Sequence, residues 1–600
     1  MNALLETVFS NRNYTIDKLR DMNSCPYTYP LHTDDLCKYL SDYHDNHKRL
    51  VLLCDFDLDG IMCGVLGYAG LCEMGFCVSL YYPDVSDGYG FSEKAIDRIL
   101  ECYPDVCGIL TADVGITAYA GIKYAREKNL DVFVTDHHLP PKSVNQVQAN
   151  VIVDPQCKED TQCYSYICGA HVLYQVLHYY AKHYVPELHM SYYMQQIERL
   201  RVFAGFGTIS DSMPLFHENR PLIRDMLSIC RLIYNDCDRT VCDFIPGCQP
   251  YKRAFYGLFL VFQVFQMKGK LPSVSKLDES FIGYYVAPMF NSIKRMEGNI
   301  SMAYDVFFGS ENVGLTAVNA LFMLNETRKA NVDVAYEQMK NSVQPWKPYV
   351  FVTDAGKGLC GLLAQRKMME TGLPCVVIQK ESLSGSGRSP VWFPMLSETT
   401  VVDFHPRSDG LSDWFFAGHE SAFGAGFEDE SSIDSFVQFL DKRIPELQPA
   451  DYLEPFKPDY VIGTLDSCDF PLDIDLFSDF LHELTIYGPF GSGFDEPVGF
   501  LQFHISDGQW RTLGSSKRKG ITRSDNKHLK IMLPSGFPVM CWNQGSLLKD
   551  LHVKENGSAV VIVRGKLDFN VWNGVSSVQF VGTVESVKND LKGDLLKSKG

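Results

Sequence analysis

Val51-Leu-Leu-Cys-Asp55-Phe-Asp57-Leu-Asp59-Gly60 is an apolar run that ends abruptly in three carboxylates at alternate positions and a glycine. The run reads as a buried strand. Crowding three like charges at its tip is unfavourable unless a cation sits among them. Clustered carboxylate oxygens suit hard divalent ions such as magnesium or manganese.

Outward from this stretch, short apolar runs alternate with helical patterns. The runs are 50–54, 109–113, 132–136 and 151–154, and the helical segments between them include 61–74 and 118–128. Such alternation predicts βαβ units and a parallel sheet, an α/β fold. Each run finishes in or meets an acid: Asp55, Asp113, Asp136 and Asp154. Open α/β sheets bind ligands beyond the carboxyl ends of their strands.

A chain of 600 residues is too long for one core and implies several domains. Its 46% hydrophobic and 21% charged residues are those of a folded protein. The net charge of −18 gives no global attraction for polyanions, so a nucleic acid would need a local basic groove. Nineteen cysteines without a C-x-x-C pair predict reduced, packed thiols in an intracellular, cytoplasmic compartment. No signal peptide is read at the N-terminus, and the apolar stretch 254–267, interrupted by Gln263 and Gln266, reads as a buried helix rather than a membrane span.

Residues 1–47 read as a polar lead-in packing on the first domain, and roughly 168–345 as a helical region. A second, smaller α/β unit follows, with strands at 349–353 and 375–379, a helix near 359–370 and glycine-rich turns at 384–389 and 418–426. After Pro455, short alternating strands at 529–533, 539–542, 559–563 and 578–581 predict a small β-barrel.

The acid cluster has a rival reading. Asp-x-Asp-x-Asp-Gly also opens a calcium EF-hand loop, but the twelfth position is Leu66 where a bidentate glutamate belongs, and a strand precedes it. Three further pieces supply mixed ligands: Thr111-Ala-Asp113-Val-Gly115, Val134-Thr-Asp136-His137-His138, and Gly207-Thr-Ile-Ser-Asp211-Ser-Met-Pro-Leu215. A carboxylate beside a histidine can orient its ring while the other nitrogen meets a metal.

Asp55-x-Asp-x-Asp-Gly60, Asp113-x-Gly115, Asp136-His-His138 and Ser210-Asp-x-x-Pro-Leu215 resemble the ordered motifs of the DHH phosphoesterases, and more closely the RecJ single-strand-specific exonucleases. Gly88-Tyr-Gly90, Cys168-Gly-Ala170, Glu218-Asn-Arg220, Ala287-Pro288 with Asn291, Asn325-Glu-x-Arg328, Gly385-Ser-Gly-Arg-Ser389, Pro489-Phe-Gly-x-Gly493 and His528-Leu-Lys530 extend the likeness over roughly 48–585. It implies a lead-in (1–47), a DHH catalytic domain (48–235), a helical connector (236–345), a DHH-associated substrate domain (346–450) and an OB-like domain (451–600). It also implies two divalent ions, manganese or magnesium, held by Asp55, Asp57, Asp59, Asp113, His137 and Asp211, with Asp113 bridging. Asp136 would orient His137, and His138 would face the phosphate. Asp154 is counted as support rather than as a ligand.

For the substrate, Ser386, Arg388 and Ser389 are expected to hold a terminal phosphate. His419 and Gly418 match a Gly-Gly-His motif in which Ala417 replaces the first glycine, Asn291 and Arg295 line the same cleft, and Tyr89 stacks on a base or sugar. Relatives carry an arginine shortly before Gly-Tyr-Gly, where this chain reads Pro83-Asp-Val-Ser-Asp87, and the stretch 391–416 has the character of an insertion. A basic segment in the C-terminal region, Arg511, Lys517, Arg518, Lys519, Arg523 and Lys530, with Trp510, Trp542 and Trp572 as stacking platforms, is expected to bind a single strand.

These readings converge on a hydrolase: a metal-dependent 5′→3′ exonuclease that degrades single-stranded DNA to 5′-mononucleotides in repair, recombination or replication. It is expected to act as a monomer beside a single-strand-binding protein or helicase, away from membranes. The alternatives are a DHH phosphodiesterase for short oligoribonucleotides or cyclic dinucleotides, and a non-catalytic replication scaffold of the same fold.

Overall fold

The structure is a computed structural model that describes residues 2–82, 90–140, 147–235, 250–401, 414–449, 458–463, 472–505, 510–518, 521–533, 535–545, 547, 559–572 and 575–589. The chain divides into two compact units. One is Cys25–Glu454, and the other joins Met1–Ser24 to Pro455–Gly600.

In the larger unit the opening stretch forms β1 (Arg49–Cys54), the second strand of an all-parallel sheet. With β2 (Val78–Tyr81), β3 (Val106–Ala112), β4 (Asp131–Thr135) and β5 (Val151–Val153) the order is β2-β1-β3-β4-β5. Alternate residues of β1 serve two cores, which is why its sequence is apolar without a break. Leu50, Leu52 and Cys54 pack with the helices Leu58–Glu73, Gly169–His183 and Glu187–Ser210, while Val51 and Leu53 pack with Ile96, Ile99, Ile122 and Ala125. Strand β2 has no counterpart among the predicted runs.

Register places the acids. Cys54 pairs with Ala112, Ala112 with Thr135, and Thr135 with Val153. Asp55, Asp113, Asp136 and Asp154 are each the next residue, so four carboxylates leave adjacent strands at one level of one sheet edge.

The helix Glu311–Asn341, 31 residues long, links this body to a second sheet. Its first half packs through Ala317, Val318 and Leu321 on the first core, and its last turns bury Ala335, Tyr336 and Met339 against Phe351, Leu363 and Val377. The second sheet has the order β6-β7-β8-β10-β9, with β6 Val350–Thr353, β7 Cys375–Gln379, β8 Ser384–Arg388, β9 Trp414–His419 and β10 Ala422–Phe427. Both glycine-rich stretches expected as turns are therefore largely strand. The glycines are there for contact: a Cβ on Gly385 would lie 2.1 Å from the Val377 carbonyl oxygen, and one on Gly387 2.2 Å from the Phe423 ring. Part of the insertion-like stretch is core, since Phe393 and Met395 are buried. The Glu420 carboxylate accepts from the Leu396 and Ser397 amides opening the helix Met395–Val401.

The other unit carries a seven-stranded sheet, β11-β12-β16-β17-β15-β14-β13, built from β11 Tyr460–Gly463, β12 Gly499–Ile505, β13 Trp510–Arg518, β14 Ile521–Met532, β15 Pro538–Cys541, β16 Ala559–Trp572 and β17 Val575–Asn589. The predicted lead-in does not hold together as one segment. The helix Thr33–Asp45 buries Leu36, Leu40 and Tyr43 in the larger unit, but Ala3–Asn11 belongs to the β unit. Its apolar face, Leu5, Val8 and Phe9, is buried with Phe477, Phe480 and Tyr460. Arg12 clamps Asp459 through Nε (2.6 Å) and Nη2 (2.7 Å). Among the described residues no helix is long and apolar enough to cross a membrane, and the described cysteines are free thiols.

Candidate metal centre and basic pocket

Asp57 caps the helix Leu58–Glu73 by accepting from the Gly60 amide, and the first turn of that helix delivers Asp59 inward. Asp59 is fully buried, and its oxygens accept from the amides of Gly169 (2.6 Å) and Ala170 (3.1 Å) at the start of the helix Gly169–His183. A carboxylate at a helix N-terminus is stabilised by free N–H groups and the helix dipole. The approach depends on glycine at 207, where a Cβ would stand 1.9 Å from Asp59 Oδ1. Asp113 sits just past β3 with φ +62°, a left-handed conformation rarely adopted by a non-glycine residue and concentrated at functional sites.

His137 completes the cluster. Its Nε2 lies 3.0 Å from Asp113 Oδ1, 3.5 Å from Asp211 Oδ2 and 3.8 Å from Asp59 Oδ2. Three overlapping groups have geometry suited to a metal ion: Asp59-Asp113-His137-Asp211, Asp55-Asp57-Asp113, and Asp113-His137-His138. Asp113 belongs to all three. Its Oδ1 is buried and accepts no hydrogen bond, which leaves a carboxylate oxygen for a cation to satisfy. The donor set of carboxylates plus one imidazole fits manganese or magnesium.

The electrostatics agree. Burial, then the charge of Asp57, pushes Asp59 up to about 7. Burial, then Asp59, raises Asp113 and Asp211 well above the carboxylate range. Burial also pushes Asp154 up to about 8, with the Asp136 charge adding to it, and Asp154 joins none of the three groups.

Asp136 differs from its neighbours. Burial works to raise its pKa, but the His138 hydrogen bond and the two histidine charges hold it below the usual value. Its Oδ1 accepts from His138 Nδ1 (2.8 Å) and the amides of His137 (2.8 Å) and His138 (3.2 Å), while Oδ2 accepts from the Ile116 amide (2.9 Å). The expectation that Asp136 orients His137 is thereby corrected: the ring it holds is that of His138. Burial lowers the His138 pKa, and the Asp136 bond and charge overcome this to bring it to about 9.

Asp211 closes the helix Glu187–Ser210, and residues outside the expected set fix the loop after it. The Asn219 amide donates to the carbonyls of Pro214 (2.9 Å) and Tyr166 (2.8 Å), and Arg220 donates to the Leu215 carbonyl (3.2 Å). Both side chains are buried. Asn291 braces the site in a similar way, since its Oδ1 accepts from the Leu58 amide (2.7 Å) and its Nδ2 donates to Ser210 Oγ (3.4 Å). It ties the Asp57–Asp59 turn to the helix carrying Asp211, so its amide positions ligands.

A basic pocket stands beside the centre. Arg295, on the short helix Ser292–Arg295, is pushed down to about 10 by burial, then by Arg328 and Arg388, against the pull of Asp57. Arg328, to which its sequence motif alone assigns no role, is buried and donates through Nε to Asn325 Oδ1 (2.9 Å). Arg388 ends β8 and shares a strand face with Ser386, two residues before it. Burial lowers the pKa of all three guanidinium groups and the charges of Arg328 and Arg388 act on Arg295, an arrangement suited to an anion. Ser389 does not contribute its proton there, because it is buried and its hydroxyl donates to the Phe393 carbonyl (2.6 Å).

Gly418 is exposed on β9, and the His419 backbone follows it. The His419 side chain and those of Trp510, Arg511, Lys517, Arg518, Arg523 and Trp572, with Tyr89 and Lys519 entire, lie outside the described residues. The backbones of 511, 517, 518 and 523 belong to the β13–β14 hairpin. On β14, Lys530 pairs with Met540, and exposed Trp542 stands edge-on to His528 at 4.8 Å.

The N-terminal domain of the DHH family matches residues 49–197, and the RecJ OB domain matches residues 468–582. The single-stranded-DNA-specific exonuclease RecJ of Haemophilus influenzae is 24% identical over 574 residues, covering 90% of this chain and 88% of that protein. The RecJ of Escherichia coli is 25% identical over 564 residues, covering 89% and 86%. Among solved structures, RecJ from Thermus thermophilus in complex with Mn2+ superposes with a TM-score of 0.69 at 19% identity, over 98% of this chain and 76% of that one. The same protein with Mg2+ gives a TM-score of 0.65 over 98% and 75%, again at 19% identity. Motif order, matched domains and shared fold agree: the chain carries a DHH-family N-terminal domain and a RecJ OB domain and is RecJ-like over most of its length.

Proposed function

We propose that the chain is a metal-dependent exonuclease that hydrolyses single-stranded DNA from its 5′ end to mononucleotides, in repair, recombination or replication. The observation that carries this reading is the buried Asp59-Asp113-His137-Asp211 cluster sharing Asp113 with Asp55 and Asp57, beside three desolvated arginines. The first group would hold one divalent ion and the second another. Such a pair would supply a water of lowered pKa and stabilise charge on the attacking and leaving oxygens of the phosphodiester.

The chain's own residues supply the rest. Gly169 and Ala170 hold Asp59 in place, and Asn219 and Arg220 hold the loop of Asp211. Asp136 holds the His138 ring, which is half-exposed, so that it can donate to a phosphate oxygen. Arg295, Arg328 and Arg388 would take the terminal phosphate, with Ser386 on the Arg388 face. In the other unit, the basic segment on β13 and β14 with Lys530 and Trp542 would bind single strand as well.

The 48–235 body would then do the chemistry and the 346–450 body would hold the end. The strand would come from a single-strand-binding protein or a helicase, and the enzyme would work as a monomer in the cytoplasm, where free thiols persist.

The test is digestion of single-stranded DNA labelled at either end, with manganese and then with chelator, using Asp113→Ala as control. Early release of mononucleotide from the 5′ label, lost in the variant and with chelator, is expected. Metal-independent digestion, equal activity in Asp113→Ala, or no digestion at all would overturn the reading.

A further inference from the structure

Lys294 has no part in the scheme above, although it stands in the centre. Its Nζ lies 3.2 Å from Asp55 Oδ2 and 3.9 Å from Asp57 Oδ2. These are the two acids that belong to the Asp55-Asp57-Asp113 group and not to the Asp59-Asp113-His137-Asp211 group. We propose that Lys294 is a built-in counter-cation for the Asp55–Asp57 side, and that it sets the divalent-ion concentration at which that side fills. The inference rests on reading the cluster as a two-metal centre.

The backbone under Lys294 is fixed. Ile293 is buried, Ser292 is buried with its hydroxyl donating to the Met289 carbonyl (2.6 Å), and Asn291 is bound at both ends of its amide. Gly358 lies against the next residue so closely that a Cβ there would stand 2.4 Å from the Arg295 carbonyl oxygen. The ammonium, in contrast, rides on a flexible four-carbon stem that is 38% exposed, so it can withdraw to water without disturbing the helix.

A positive charge in contact with a ligand oxygen lies within about 5–6 Å of any ion that oxygen binds. At that range, with an effective dielectric of about 20, the repulsion is enough to weaken binding by at least about tenfold. The ion must either bind against that charge or displace it. The Asp59–Asp113–His137–Asp211 side has an imidazole where this side has an ammonium, and a neutral imidazole is a ligand rather than a competitor. The two positions should therefore load in sequence, the Asp55–Asp57 position second.

The experiment titrates Mn2+ into the metal-free full-length protein without DNA, by calorimetry, with bound Mn2+ counted by electron paramagnetic resonance. Wild type should bind in two unequal phases. Lys294→Met, which keeps the stem and removes the charge, should tighten the weaker phase by at least about tenfold and the tighter phase by a smaller factor. Lys294→Arg should keep two phases in the wild-type order. The proposal is overturned if the weaker phase of Lys294→Met stays put or weakens, if both phases move together, or if Lys294→Arg matches Lys294→Met. Wild type that binds no Mn2+ would instead remove the metal centre itself.

Discussion

Raising the pH of the metal-free protein should destabilise its larger unit, and Asp59 gives the size of the effect. The side chain is fully buried, so water does not screen it. Burial, with the Asp57 charge second, lifts its pKa to about 7, against 3.8 for a free aspartate. A shift of about three units corresponds to about 4 kcal/mol. Because the folded pKa is the higher one, this stabilisation is fully present below about pH 4 and is lost as the pH rises through about 7. Asp154, pushed up to about 8 by burial, and His138, brought to about 9 against its burial by Asp136, act in the same direction and extend the loss to higher pH.

Between pH 5 and pH 8 about two of those three units are crossed, about 3 kcal/mol, which at about 2.1 cal/mol/K of unfolding entropy per residue lowers the melting temperature of a unit of this size by about 3 °C. A divalent ion offsets the carboxylate charge, so manganese should raise the melting temperature more at pH 8 than at pH 5. Scanning calorimetry with chelator or manganese at both pH values reads this directly. The two units can melt separately, so the transition to follow is the one manganese moves. Asp59→Asn should show a shallower pH dependence without metal. A metal-free transition that is flat or rises from pH 5 to pH 8, or a manganese gain independent of pH, would refute the electrostatic account of the cluster.

Gly207→Ala should leave the helix Glu187–Ser210 folded, since alanine favours helix, yet weaken manganese binding by at least about tenfold. The reason is that its Cβ would lie 1.9 Å from Asp59 Oδ1, and isothermal titration measures the loss. Arg328→Ala should weaken binding of a 5′-phosphorylated oligonucleotide and reduce the salt slope by about one, with little recovery in Arg328→Lys; fluorescence anisotropy across salt checks both. Phe9→Ala should cost the β unit about 3–5 kcal/mol while leaving the manganese-responsive transition unmoved, because Phe9 is buried with Phe477 and Phe480. Calorimetry separates the two transitions.

The sequence announces the parallel sheet because β1 and its neighbours are buried on both faces, and it announces the acids because each is the residue after a strand. Spacing alone could not show that these strand ends share one level; that is a matter of register, and only the pairing of Cys54, Ala112, Thr135 and Val153 supplies it. The glycines of 385–387 misled because glycine marks a turn and a close approach equally well, and here the Val377 backbone and the Phe423 ring decide between them. The helix Ala3–Asn11 shows an apolar face in its periodicity, but periodicity names a face and not its partner, which lies more than 450 residues along the chain.

The same limit is sharpest in the short helix that follows Asn291. Asn291, Lys294 and Arg295 are related as i, i+3 and i+4, and so lie on one side of the helical turn. Asn291 turns to Leu58 and Ser210, Lys294 to Asp55 and Asp57, and Arg295 to the arginine pocket. That spacing groups 291 with 295 but does not name the partner of each, and Lys294 is passed over because an isolated lysine carries no motif. The partner each side chain meets, rather than the helix face it leaves from, is what separates a residue that positions ligands from one that competes with an ion and one that binds an anion.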